Sequence, residues 1–120
     1  MTAVSTDYTD NDVLVVSFAD AKILDEGRID QVGRELMDLP KLATGRRMLL
    51  DFQGVKFMSS LMIGKIIILQ QECKSMGILM KVCNMSEDIR KVFKITKLKI
   101  DIQKDRQKAI ASFDKKGWFS

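Results

Sequence analysis

Two adjacent serines, Ser59 and Ser60, stand where two patterns meet. Before them runs Met48-Leu49-Leu50-Asp51-Phe52-Gln53-Gly54-Val55-Lys56-Phe57-Met58, an apolar stretch ending in Asp-x-x-Gly-x-x-Phe-Met. After them begins a long segment whose apolar residues recur at helical spacing. The physical reading is a buried strand, a tight loop, and hydroxyls at the mouth of a helix. The first N–H groups of a helix lack internal acceptors, and the helix dipole is positive there. Such a place suits a capping oxygen, an anion or a phosphoryl group. Ser59 and Ser60 are therefore read first as a helix cap, at a place that also suits an anion or a phosphoryl group.

Other chemistry is scarce. The chain has no histidine, which removes His-based catalysis and most zinc sites. Cys73 and Cys83 both lie in apolar-periodic segments and are read as small buried hydrophobes, without a disulfide. Asp51 follows a buried strand, but one carboxylate does not make an acid–base site. No glycine-rich phosphate cradle is visible. The expectation is a protein that is not an enzyme and that uses no cofactor or metal.

The elements that must position the serines follow from periodicity. Val4 to Tyr8 and Val13 to Phe18 read as strands joined by the turn-prone Asp10-Asn11-Asp12. Ile29, Val32, Leu36 and Leu39 make one helical stripe closed by Pro40. Met48 to Phe52 is near-continuously apolar, as expected for a strand buried on both faces. Leu61 to Met76 forms a helix with Met62, Ile63, Ile66, Ile67, Leu69, Cys73 and Met76 on a broad apolar face, stopped by Gly77. Leu79 to Cys83 is a further strand. Ser86-Glu87-Asp88 caps a short helix whose Ile89, Val92 and Phe93 point to the core. Ile100 and Ile102 alternate around Asp101 as a short strand, and Asp105 starts a last helix carrying Ala109, Ile110 and Phe113. Strands alternating with helices predict an α/β fold, with a mixed, mostly parallel sheet of about five strands and about four helices. One domain is expected over 1–120, its core at about 4–113 and a short tail at 114–120 that holds Trp118 and Phe119.

Composition agrees with an ordinary globular domain, 46% hydrophobic and 30% charged. No apolar run approaches the roughly 20 residues that cross a bilayer, and the N-terminus has no signal-peptide pattern. A cytoplasmic protein without a membrane partner is expected. The net charge is +4. Its densest basic group, Arg90, Lys91, Lys94, Lys97 and Lys99, alternates with Val92, Phe93, Ile95 and Leu98 as on a solvated helix face. An acidic protein partner could use that face. With no aromatic platform, no nucleic-acid partner is expected.

Val13-x-x-Val16, Leu49-x-Asp51-x-x-Gly54-Val55-x-Phe57-Met58-x-Ser60 and Asn84-x-Ser86-x-x-Ile89-x-x-Val92-Phe93-x-Ile95-Thr96-x-Leu98 together resemble the STAS domain family. The likeness runs from about Val13 to Phe113. Its best-known members are bacterial anti-sigma factor antagonists. The resemblance implies a partner, an anti-sigma factor that is also a serine kinase of the histidine-kinase-like ATPase type, and a serine phosphatase that resets the cycle. Binding frees a sigma factor for transcription. Phosphorylation of a serine at the start of the helix after the third strand then releases the complex. A phosphoserine adds roughly −1.5 to −2 charge at neutral pH, which a contact surface must desolvate or repel.

The family's usual run after Phe-Met is Asp-Ser-Ser-Gly-Leu-Gly, with the second serine phosphorylated. Laid on this chain without gaps, Ser59 falls on the Asp, Ser60 on the first serine and Leu61 on the acceptor. Met62 then replaces Gly, Ile63 the Leu, and Gly64 is retained. The resemblance therefore leaves two alternatives. Ser60, or Ser59, has taken over as acceptor, or the domain docks in a larger signalling assembly without being switched. The implied contact surface spans about Asp20 to Gly27 and Met58 to Lys65. Its candidate residues are Asp25, Met58, Ser59, Ser60, Leu61, Met62 and Lys65, with Met58, Leu61 and Met62 as a soft apolar patch, Met62 being read equally as a core residue.

Overall fold

A computed structural model describes residues 2–95 and 99–117, with side chains to residue 114. Trp118 and Phe119, expected in the tail, lie outside the described residues, as do Thr96, Lys97 and Leu98 of the expected motif and basic group. A five-stranded sheet forms the centre. Its strands are β1 (Val4–Tyr8), β2 (Leu14–Phe18), β4 (Arg47–Asp51), β6 (Leu79–Cys83) and β7 (Asp101–Gln103), in the spatial order β1-β2-β4-β6-β7. β1 runs antiparallel to β2, and the other four are mutually parallel. Two short strands, β3 (Lys22–Ile23) and β5 (Phe57–Met58), pair with each other apart from that sheet. Four helices complete the fold: α1 (Glu26–Met37), α2 (Ser60–Ser75), α3 (Glu87–Ile95) and α4 (Arg106–Gly117). The expected α/β class and mostly parallel sheet are those observed.

The alternation of side chains along a strand assigns the two faces. Leu14, Val16, Met48, Leu50, Met80 and Val82 pack with Ile29, Val32, Leu36, Met62, Ile63, Ile66, Ile89 and Phe93 from α1, α2 and α3. Val13, Val15, Leu49 and Cys83 meet Ala109 and Phe113 of α4. Residues 48–51 are thus buried on both sides, which explains their unbroken apolarity. Met76 departs from expectation. It lies at the C-cap of α2, half exposed, because the helix ends at Ser75 before that position can turn inward. Leu39 reaches the core from a 3-10 turn (Pro40–Leu42) after α1 has closed, not from the helix.

Sequence patterning did not point to Lys81. It sits in the row of β6 that faces α4 and is almost fully buried. Its ammonium donates to Ser112 Oγ at 2.7 Å, lies 3.2 Å from Asp101 Oδ2 and stands 4.8 Å from the centre of the Phe113 ring. A buried cation persists where its hydrogen bonds and counter-charge are supplied, and here α4 and β7 supply them.

Candidate functional site

The segment carrying the serines is anchored by a buried carboxylate. Ser17, Asp51, Cys83 and Gln103 lie in register across β2, β4, β6 and β7, at the ends from which the loops leave. Asp51 is 1% exposed. Its Oδ1 accepts from the Gln53 amide and from Asn84 Nδ2, both at 2.9 Å, and its Oδ2 meets Arg106 Nε at 2.7 Å. Arg106 also donates to Ser17 Oγ at 3.3 Å. Burial pushes the Asp51 carboxyl up. The hydrogen bonds from Asn84, Gln53 and Arg106, with the charge of Arg106, outweigh it and hold the group below the ordinary carboxylate range.

The bond to Gln53 begins a tight reversal. Val55 N–H donates to Phe52 C=O at 2.9 Å, and Gly54 takes φ +86 at the position where a type II turn demands the left-handed region. The chain then enters β5. Backbone bonds from Lys56 and Phe57 to Ala21, and from Ser59 to Ile23, bind it to the loop that precedes α1. That loop is itself fixed, with Arg28 Nε 2.8 Å from Asp20 Oδ2 and Asp25 capping α1 through the Arg28 amide. The two segments expected to form the contact surface are therefore one structural unit, held by the small β3–β5 sheet.

The two serines divide the work. Ser59 is the N-cap of α2, extended at φ −79 and ψ 164, and its hydroxyl accepts from the Met62 amide at 3.4 Å. Ser60 is the first helical residue, and its side chain is exposed. The first turn of α2 holds no acidic residue, so the positive end of its dipole is uncompensated there. Ser59→Ala is expected to cost about 1 kcal/mol, while Ser60→Ala stays within about 0.5 kcal/mol of wild type. Urea unfolding of both variants tests this, and equal losses would contradict the division.

The expected surface is corrected at the methionines. Met62 is fully buried, in line with Ile66, Leu69 and Cys73 on the core stripe of α2, and Met58 is buried with Ile23 beneath the small sheet. Leu61 remains outside, 43% exposed. Lys65 is half-buried and pairs with Asp30 across the α1–α2 contact at 3.7 Å. Phe57, outside the two expected segments, and Leu24, inside the segment from Asp20 to Gly27 but not singled out there, take the apolar role. Leu24 and Phe57 are 53% and 44% exposed and flank the buried pair Ile23 and Met58. Between β5 and α3 opens a cavity of about 190 Å³, lined by Phe57, Met58, Asp88, Ile89 and Val92.

Burial pushes the Cys73 thiol up to about 11 and that of Cys83 to about 12, so neither is a nucleophile at neutral pH. Among the described residues there is no cluster of acids and cysteines able to hold a metal ion, and no helix is long and apolar enough to cross a membrane.

The profile of the STAS domain family matches residues 6–109. The chain belongs to the STAS domain family. No curated protein matches the sequence significantly. This STAS domain is similar in structure to an anti-sigma-factor antagonist (STAS) domain protein from Planctomyces limnophilus, with a TM-score of 0.81 at 19% identity over 91% of this chain and 96% of that one. A variant of RsbS from Moorella thermoacetica gives a TM-score of 0.81 at 12% identity, covering 98% and 100% of the two chains. The anti-sigma factor antagonist SpoIIAA, in its unphosphorylated form, gives 0.69 at 15% identity, covering 94% and 98%. At such identities the likeness is one of fold.

Proposed function

We propose that this STAS domain is an anti-sigma factor antagonist-like regulator. It works as one domain over 1–120 and binds a cytoplasmic anti-sigma factor of the serine-kinase type in a pathway controlling transcription. Ser60 is its phosphoacceptor. The observation that carries this reading is the separation of roles at α2, where Ser59 is committed to capping while Ser60 is exposed next to exposed Leu61 and just after the paired β3 and β5 segments that leave Leu24 and Phe57 exposed. Apolar residues around a modifiable hydroxyl let one phosphate convert an attractive contact into one that buries an unpaired charge. The same phosphate at the first helical position is favourable for α2 itself, because it faces the positive end of the dipole. The switch therefore acts on the contact rather than on the fold, and a serine phosphatase reverses it.

Leu61 supports a second reading. It occupies the position where the family pattern places the acceptor, and one similar structure is described as the molecular architecture of the stressosome, a signal integration and transduction hub. A docking module without a phosphate cycle would have the same exposed patch. Mapping phosphate across residues 56–65 of protein isolated from its own cells separates the two. The expected result is phosphate on Ser60 and none on Ser59, with Ser60→Asp lowering retention of the kinase partner about tenfold or more. Protein free of phosphate under growth and stress alike favours docking alone.

A further inference from the structure

The end of the sheet opposite β1 carries a second surface, built from residues other than those given a role with Ser60. Among the described residues β7 pairs only with β6, so its outer edge offers unpaired backbone groups. Lys74 and Lys99 line a recess beside that edge, Lys104 follows β7, and α3, the helix between β6 and β7 in the chain, carries Arg90, Lys91 and Lys94 exposed. None of these six joins an ion pair among the described residues. The acids of β7 itself and of the residues just after it are already engaged. Asp101 holds Lys81 and accepts from Gln103 Nε2, and Asp105 caps α4 through the Lys108 amide.

Lysines at a free strand can simply deter another strand from pairing. Two further features are ones a deterrent does not need. A cavity of about 190 Å³ opens between α2 and the β6–β7 edge, with Lys74 and Lys99 among its walls and Ile78 and Met80 adding apolar surface. Ile95, beside Lys94 at the end of α3, is 78% exposed. Positive charge, a recess and an apolar side chain together suit a polypeptide that brings carboxylates and aliphatic residues.

We infer that the outer edge of β7 receives an extended acidic segment of a partner protein as an added strand. Main-chain hydrogen bonds supply the pairing, and the carboxylates of the segment meet Lys74, Arg90, Lys94 and Lys99. A nucleic acid fits less well, because the described edge has no aromatic side chain for base stacking and a phosphate backbone cannot complete a strand ladder. A membrane would ask for a row of exposed apolar residues where Ile95 stands. A second copy of this chain would bring the same net charge of +4. The two docking surfaces use different residues, so this partner can stay bound while the contact at Ser60 is made and broken.

The test is fluorescence anisotropy with a labelled peptide of about ten residues alternating Glu and Val, using the full chain. Binding is expected, weakening as salt rises and falling about tenfold in the Lys94→Glu/Lys99→Glu double variant and in Lys74→Glu. These side chains are exposed, and circular dichroism verifies that the variants fold. Methylating alternate peptide amides is expected to abolish binding, whereas Ser60→Asp leaves it unchanged. Four results would each overturn the inference: equal binding of a peptide with Lys for Glu, full binding after amide methylation, tighter binding of a single-stranded oligonucleotide or of phosphatidylserine vesicles, and salt-sensitive self-association that the double variant removes.

Discussion

Arg106→Ala is expected to lower the unfolding free energy by about 3 kcal/mol at neutral pH. The loss comes from the carboxylate left behind, not from the arginine removed. Asp51 Oδ2 would keep its charge at a position 1% exposed, with its 2.7 Å guanidinium partner gone. Oδ1 would retain Asn84 and the Gln53 amide. The Arg106 side chain is 44% exposed, so water can reach part of the space it vacates, which places the effect at the low end for a broken buried pair. The sign of the pH dependence follows from the depressed carboxyl. A carboxyl whose folded pKa lies below its unfolded value, about 3.9, contributes stability above that value and loses it as pH falls through the folded pKa. The wild type therefore loses this contribution below about pH 4, and the gap to the variant narrows there. Urea unfolding of both proteins at neutral and acid pH measures it. A gap unchanged at low pH would show that the guanidinium acts through packing alone.

Phe52→Ala is expected to cost about 4 kcal/mol, of which the contact with Phe18 supplies about 1. Phe52 is fully buried, and its ring stacks on Phe18 at 4.9 Å between centroids and 15° between planes. It is also the hinge of the segment that presents Ser59 and Ser60. Its N–H donates to Cys83 C=O at 3.0 Å, and its C=O closes the turn with Val55. Phe52→Leu keeps most of the volume and should lose about 1.5 kcal/mol. Calorimetry distinguishes the two as a fall in Tm of about 15 °C against about 5 °C. A loss below about 1 kcal/mol for the alanine variant would mean that the loop packs without this ring.

Much of the framework was legible because its signals are local. The spacing of Met62, Ile66, Leu69 and Cys73 specifies a helix, and it also places Met62 on the buried stripe. Helical phase puts Met62 on the core face and motif position puts it on the contact surface, and the structure bears out the first. The strands β3 and β5 were not legible, since two residues carry no period. Only pairing across the fold, Lys22 with Phe57 and Ile23 with Met58, makes them strands. Without that pairing nothing separated exposed Leu24 and Phe57 from their buried neighbours. Asp51 was noticed as a carboxylate ending a buried strand. Its partners Asn84 and Arg106 come from 33 and 55 residues further along, beyond the reach of any local pattern. Two hydroxyls before an apolar-periodic segment mark a helix start but not which of them caps it: the spacing begins the helix at Leu61, whereas the structure begins it at Ser60 with Ser59 as the cap.

The buried cation at Lys81 bears on how the chain is made. α4 is the last element among the described residues, and it alone covers Val13, Val15 and Leu49 on its side of the sheet. While the ribosome has delivered β1 to β7 and not yet α4, that apolar face is open, and an open apolar sheet invites wrong partners. Lys81 lies in the middle strands of the same face, with Ser112 and Phe113 still to come. In the nascent chain its ammonium is hydrated and has Asp101 of β7 but not yet Ser112 or Phe113 beside it, an inward-pointing charge that opposes stacking by another apolar surface. Only α4 brings both the hydroxyl and the ring that let the charge be buried, so the lysine discriminates between the proper cover and an improper one during synthesis.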